Sequence, residues 1–143
     1  MKQHSSAFTM IELVFVIVIL GILAAVAIPR MGATRDDAML VKGKSQIASI
    51  RSGISLLKSK MLLEGNTTAI TKLDDATANA EGQSLFKDVL EYPIVSKNGD
   101  GNWMKTGTTS YTFKLLGKTN TFEYNTTAWQ FNCTGDDCTA LTQ

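Results

Sequence analysis

The sequence predicts an α+β fold in which one long N-terminal helix packs on a small antiparallel β-meander. Three observations predict it: an apolar run over 8–28, a helical stripe of apolar residues over 40–61, and alternating apolar and polar residues over 109–132. A chain of 143 residues has room for one modest core. The net charge of +1 gives no electrostatic reason to expect a nucleic-acid partner.

The apolar run over 8–28 is long enough to cross a membrane. Thr9 and Glu12 are its only polar side chains. At 1.5 Å per residue the run spans about 31 Å, close to the ~30 Å hydrocarbon core of a bilayer. Lys2 ahead of it favours an N-terminus in the cytoplasm, although Arg30 and Arg35 lie close to the other end of the run.

An ordinary secretory signal peptide is the alternative interpretation of the same segment. Ala25-Val26-Ala27 fits its cleavage site, and cleavage there would release a periplasmic binding or adhesion domain that begins at Ile28. Glu12 inside the apolar region and Pro29 just beyond the cut argue against it.

Glu12 indicates that the helix does more than anchor the chain. A carboxylate at the centre of a membrane helix costs about 2.5–3.5 kcal/mol, and such a residue predicts a function with a partner. The apolar run contains no cation, but cleavage before Phe8 would create an α-ammonium four residues from Glu12. The same group on a neighbouring copy could neutralise the carboxylate and set the register between subunits.

The segment Ala-Phe-Thr-Met-Ile-Glu-Leu at 7–13, the apolar run behind it, Gly21 and Pro29 resemble the N-terminus of type IV pilins and type II secretion pseudopilins. The resemblance covers about residues 5–30, and it departs from the family at Ala7, where glycine is usual. It implies cleavage by prepilin peptidase between Ala7 and Phe8, N-methylation of Phe8, and assembly through Glu12. It also implies a helix kink, which Gly21 and Pro29 favour on physical grounds.

The resemblance also implies a structural subunit rather than an enzyme. Its expected partners are other pilin-like subunits, prepilin peptidase, an inner-membrane assembly platform and membrane lipid. The expected location is the inner membrane, followed by a type IV pilus-like or type II secretion filament in the periplasm or at the surface. The predicted divisions are a leader over 1–7, an assembly helix over 8–29 and a periplasmic head over 30–143.

The head begins with a predicted amphipathic helix over 30–64. Its apolar stripe has helical spacing, and Gly65-Asn66 ends it. Residues 30–60 carry seven basic and two acidic side chains, whereas 61–143 carry six basic and ten acidic ones. This asymmetry permits a transformation pseudopilin that contacts DNA, but it favours a self-associating subunit. The stripe consists of Leu40, Ile47, Ile50, Ile54, Leu57 and Met61.

A variable loop is predicted over 65–102, with a short helix over 83–91 that Pro93 ends. Leu85, Phe86, Val89 and Leu90 of that helix are expected to close the core. Asn98, Asp100 and Asn102 have the alternating oxygens of a calcium loop, but the glutamate of an EF-hand is absent. A glycine-rich turn without a cofactor is therefore favoured over calcium.

The β-meander is predicted over 103–143, with strands at 109–116, 119–125 and 128–132 and a turn at Gly117-Lys118. Its apolar face is expected to lie on the helical stripe. That face consists of Phe113, Leu115, Phe122, Tyr124, Trp129 and Phe131.

Cys133 and Cys138 are expected to form a disulfide, because an exported chain meets an oxidising compartment and two thiols alone do not make a zinc site. Asn66 and Asn125 each fit an acidic glycosylation sequon, although the abundance of Asn and Thr favours coincidence.

The sequence suggests no catalytic arrangement of nucleophile, base and orienting group. The only histidine is His4, in the predicted leader. The pairs Asp36-Asp37, Asp74-Asp75 and Asp136-Asp137 lack a convergent partner, and the first two are interpreted as solvated surface.

Overall fold

The structure, a computed structural model, describes residues 8–143, apart from the side chains of 29–33. The predicted leader over 1–7, with Ala7 at the expected cleavage site, lies outside the described residues. The chain divides after Arg35 into an N-terminal unit and a C-terminal unit, Asp36–Gln143. Helix α1, Met10–Leu63, contributes to both units.

The N-terminal unit contains the apolar part of α1. Residues Met10–Ile28 form a segment of mean hydropathy 3.1 that is long and apolar enough to span a membrane. Its side chains are exposed throughout, as expected for a surface that faces lipid or neighbouring helices. The backbone is helical at both Gly21 and Pro29, and the bend expected there stays a prediction.

The C-terminal unit is a helix-and-sheet head. The predicted meander is confirmed as a four-stranded antiparallel sheet in which each strand pairs with the next one along the chain, and two short strands form a separate antiparallel pair. A short C-terminal helix follows the sheet. The elements after α1 are β1 Ser84–Leu85, β2 Ile94–Val95, β3 Trp103–Lys105, β4 Ser110–Leu115, β5 Lys118–Asn125, β6 Gln130–Thr134 and α2 Cys138–Thr142.

The core lies where the α1 stripe meets the inner face of the sheet. Ile47, Ile50 and Ile54 are buried at its centre, whereas Leu40, Leu57 and Met61 are only half-buried towards its ends. Aromatic rings from the sheet and from the turn after β1 fill the other side and pack at centroid distances of 4.4–6.0 Å. The rings are those of Phe86, Trp103, Tyr111, Phe113, Phe122 and Phe131.

The short helix predicted over 83–91 is wrong. Ser84 and Leu85 pair with Val95 and Ile94 as strands, and the chain then turns at Phe86, whose φ of 60° is incompatible with a right-handed helix. The expected role in the core is nevertheless confirmed: Leu85 and Phe86 are fully buried, and Val89 and Leu90 pack against the core.

Strand boundaries differ from the prediction by one or two residues, and residues in the left-handed conformation set the β4–β5 turn and the start of β6. The β4–β5 turn is Leu116-Gly117, with φ of 53° and 75°, one residue earlier than predicted. A two-residue hairpin turn of type I′ requires a positive φ at both of its central residues, as found here. Strand β6 begins at Gln130 rather than 128, since Trp129 has φ of 60° and its N–H bonds to the Asn125 carbonyl at 2.8 Å.

Candidate functional site

The N-terminus of α1 carries the side chains that the sequence singled out for assembly. Thr9 precedes the helix, and its N–H and Oγ1 both donate to Oε2 of Glu12 at 3.0 Å. The Glu12 N–H donates back to Thr9 Oγ1 at 3.3 Å. This is a capping box, in which two otherwise unsatisfied helix N–H groups find partners. The spacing Thr-x-x-Glu was the signal in the sequence, and the sequence analysis missed it.

The capping box holds the Glu12 carboxylate at the start of the helix. The carboxylate carries one negative charge, and within the described residues its hydrogen bonds come from Thr9 alone. A neutral donor such as Thr9 leaves that charge uncompensated. Phe8 lies next to this cap and is 82% exposed.

The surface behind the cap is suited to helix packing in a membrane. A Cβ built at Gly21 meets no atom within 4 Å, so this position leaves the helix surface open. Small residues of this kind let neighbouring helices approach closely in a membrane. The apolar side chains around it are 40–84% exposed, which shows how much surface a lipid or helix partner would cover.

The head is organised around a buried carboxylate that the sequence analysis assigned to the solvated surface. Asp74 is fully buried, and its Oδ1 lies 2.6 Å from Nζ of Lys105, which is itself buried. The interpretation of Asp74 as solvated is wrong because strand β3 alternates its burial, which turns Lys105 inward on the same face as Trp103. Its neighbour Asp75 is exposed, as expected.

Four donors converge on Asp74. Oδ1 also accepts the Ala76 N–H at 3.0 Å, and Oδ2 accepts the Phe86 N–H at 2.8 Å and the Tyr111 hydroxyl at 2.9 Å. Burial, together with the neighbouring carboxylate, raises the pKa of the Tyr111 hydroxyl above its ordinary value. The network ties the variable loop, the turn at Phe86 and two strands to one charge. Its satisfied geometry indicates a structural role rather than a reactive one.

The exposed Asp75 holds a separate surface ion pair. It lies beside Lys72 and Lys87, which lower the pKa of its carboxyl to about 2. Exposed pairs of this kind contribute little to stability.

The C-terminus is closed by the expected disulfide between Cys133 and Cys138, whose Cα atoms are 5.6 Å apart. Just before α2, the Asp137 N–H donates to Asn120 Oδ1 at 3.1 Å, and Asn120 Nδ2 donates to Asp137 Oδ2 at 3.2 Å. Asp137 is therefore half-buried, and the disulfide and this pair join the end of β6 to α2 and β5.

The candidate calcium residues lie in a turn whose oxygens already accept hydrogen bonds. Asn98 Oδ1 accepts from Lys114 Nζ at 2.6 Å, and Asp100 Oδ1 accepts from the Gly117 N–H at 2.9 Å. The Asn102 side-chain amide donates to the Asp100 carbonyl at 2.9 Å. Among the described residues, no cluster of three or more His, Cys, Asp or Glu side chains could hold a metal ion.

The two candidate glycosylation residues, Asn66 and Asn125, are both exposed. Each side-chain oxygen accepts the N–H of the threonine two residues on, at 2.9 Å for Asn66 and 3.0 Å for Asn125. Their modification stays a prediction.

Comparison with known proteins gives one match over the N-terminal segment and another over most of the chain. Residues 2–28 match the family model described as a prokaryotic N-terminal methylation motif. The chain is 32% identical over 120 residues to the type IV major fimbrial protein FimA of Dichelobacter nodosus, a match that covers 74% of this chain and 73% of that protein. No solved structure gives a significant match.

Two further relatives share shorter segments. The type II secretion system core protein G of Pseudomonas aeruginosa is 37% identical over 57 residues, and the chain spans 40% of its length. The type IV narrow pilus major component PilA5 of Thermus thermophilus is 35% identical over 82 residues, which cover 57% of this chain and 66% of that protein. Since the match to the fimbrial protein covers about three quarters of each chain and residues 2–28 match the methylation motif, the chain belongs to the type IV pilin and pseudopilin family of structural subunits.

Proposed function

We propose that the chain is a structural subunit that prepilin peptidase cuts between Ala7 and Phe8 and methylates at Phe8, and that it then polymerises through its N-terminal helix into a type IV pilus-like or type II secretion filament. The observation that carries the proposal is Glu12, a charge held by a capping box at the start of a helix apolar enough to span a membrane. The methylation motif over 2–28 supports the processing step.

The mechanism follows from the charge. In the membrane a lone carboxylate is costly, and Thr9 supplies hydrogen bonds but no positive charge. The new α-ammonium of a neighbouring copy would neutralise Glu12 when the helices come together. Exposed apolar residues along the same helix would pack laterally between subunits, with Gly21 allowing close approach.

This mechanism implies the location and the partners of the subunit. Before assembly the helix anchors it in the inner membrane, with the N-terminus in the cytoplasm and the head in the periplasm. Prepilin peptidase and the assembly platform of the filament act on it there, and other pilin-like subunits surround it in the filament. The family relatives named above are components of type IV pili and of type II secretion systems, which supports both kinds of filament.

Glu12→Gln tests the proposal, because it removes the charge and keeps an oxygen that can accept the Thr9 hydrogen bonds. We expect the variant to insert in the membrane at the wild-type level and to be lost from sheared filaments, as measured by immunoblot of the two fractions. Glu64→Gln, which removes the same charge from an exposed residue just after the end of α1, is the matched control and is expected to retain assembly. Wild-type assembly by the Glu12→Gln variant would refute charge pairing.

A further inference from the structure

The head has a basic groove between α1 and the edge of its sheet. Lys44, Arg51 and Lys58 recur every seven residues, so they form one row along the helix. Beside this row runs strand β6, the last strand of the sheet. The groove between them has a volume of about 480 Å³ and is lined by Arg51, Lys58 and residues 129–132.

The cations of the groove are fixed in position. Arg51 Nε and Nη2 both donate to the Phe131 carbonyl, at 3.2 Å and 3.1 Å, which leaves the rest of its five N–H donors available. Lys58 Nζ lies 5.4 Å from the ring centroid of Trp129. Trp129 itself holds φ of 60°, a conformation that costs free energy for a bulky residue and is often found at functional sites.

These cations have no anionic partner within the described part of the chain. No carboxylate there lies within 4.0 Å of Arg51 or Lys58. A groove with two oriented cations and an aromatic wall is therefore complementary to an acidic segment that comes from elsewhere.

An acidic turn occupies the opposite flank of the same helix. It packs on α1 at Gly53, where an added Cβ would lie 2.1 Å from the Val89 carbonyl oxygen. Gly53 is two residues from Arg51, about 200° around the helix. The turn exposes Asp88, Glu91 and Tyr92, and Tyr92 is 82% exposed. No cation lies within 4.0 Å of either carboxylate among the described residues.

Two complementary patches on opposite flanks of one head cannot satisfy each other within a single chain. We infer that the groove at Arg51 and Lys58 receives the acidic turn Asp88–Tyr92 of a second copy of this chain. A contact between two different patches repeats from copy to copy, and it builds an open helical filament when the rotation between copies does not close it into a ring. The inference rests on the proposed filament function and adds to it the surface by which neighbouring heads recognise each other.

Cysteine cross-linking in assembled filaments tests the contact. The full-length chain with Ser55→Cys, at the lining of the groove, and Tyr92→Cys, on the acidic turn, keeps all four charges and is expressed with its assembly machinery and treated with a short bismaleimide. Cys133 and Cys138 are joined in a disulfide, so the introduced cysteines supply the reactive thiols of the described chain. We expect a ladder of covalent multimers on a denaturing gel. Ser55→Cys with Glu123→Cys, whose second site is on the outer face of the sheet, is the matched control and is expected to stay monomeric.

The ladder distinguishes the possible partners. Dimers alone would indicate a closed, two-fold contact and would overturn the inference, as would adducts to a different protein or an equal ladder in the control. Filaments that form without any cross-link would overturn the inference and leave the proposed function standing. Absence of filaments from the unmodified chain would instead refute the proposed function, and the inference with it.

Charge reversal gives a second test that does not depend on the cross-linker. Lys58→Glu and Glu91→Lys are each expected to lower the filament yield at least tenfold by repulsion at the contact, and the double variant is expected to recover most of it. Single variants that assemble at the wild-type level, or a double variant that recovers nothing although the full-length protein is folded in detergent by circular dichroism, would overturn the inference.

Discussion

Asp74→Asn is the substitution that should damage the head most for the smallest change in shape. It replaces a carboxylate that is fully buried and that lies 2.6 Å from the ammonium of Lys105. The amide keeps the size of the side chain but removes the charge, and it places an N–H₂ group where one carboxylate oxygen accepted hydrogen bonds. Lys105, whose side chain is only 6% exposed, would then hold an uncompensated charge.

The expected cost is about 3–5 kcal/mol, the range found when one partner of a buried ion pair is removed. The backbone and hydroxyl donors that face the new N–H₂ group would also lose their acceptor: Ala76 if it replaces Oδ1, or Phe86 and Tyr111 if it replaces Oδ2. In a domain of about 100 residues each kcal/mol lowers the Tm by about 4–8 °C, so the Tm of the head should fall by at least about 12 °C.

The assay is thermal and urea unfolding of the full-length chain in detergent, followed by the near-ultraviolet circular dichroism of buried Trp103. Asp75→Asn is the matched control, since this adjacent carboxylate is exposed and its replacement should leave the Tm of the head almost unchanged. Asp74→Asn combined with Lys105→Met should lower the free energy of unfolding less than Asp74→Asn alone, because the double variant no longer buries the unpaired ammonium of Lys105. A loss below about 1 kcal/mol for Asp74→Asn would refute the reasoning.

Three further predictions concern other parts of the head. Gly53→Ala should destabilise it by about 1–3 kcal/mol in urea unfolding, because the added Cβ meets the Val89 carbonyl oxygen at 2.1 Å, whereas Gly99→Ala, with its nearest atom at 3.7 Å, should have little effect. Replacing Cys133 and Cys138 together by serine should cost about 2 kcal/mol by loop-closure entropy, and an unchanged urea midpoint would contradict this. Because the pKa of the Tyr111 hydroxyl is raised, the stability that the neutral hydroxyl contributes is fully present below pH 10 and is lost as the pH rises above that. The Tm should therefore fall between pH 10 and 11. Tyr111→Phe should make this fall smaller.

The sequence was informative wherever a periodic pattern coincided with burial. The stripe through Ile47, Ile50 and Ile54 and the alternation through Phe113, Phe122 and Phe131 both predicted the buried faces that the structure has. These patterns are local, since 3.6-residue and two-residue periods can be recognised without knowledge of the partner.

The sequence analysis failed where the deciding contact is distant or depends on one backbone angle. Asp74 is buried because Lys105 lies 31 positions later on the inner face of β3, and no local pattern around Asp74 announces this. The apolar spacing over 83–91 also fits a helix, but the positive φ of Phe86 directs the chain into a turn. Each of these two places carried a partial signal in the sequence. For the Asp74–Lys105 pair it was the spacing Trp103-x-Lys105, which puts Lys105 on the same strand face as Trp103, and for the segment 83–91 it was Pro93 and the polar residues on either side.

The most direct test of the central claim is the mass of the N-terminal peptide of the protein isolated from its native membrane. Processing as a filament subunit predicts a chain that begins at Phe8 and carries one added methyl group on its α-amino nitrogen, with Glu12 retained four residues on. A chain that begins at Ile28 would have lost Glu12 and the whole membrane segment, and it would contradict both assembly through the helix and membership of a filament.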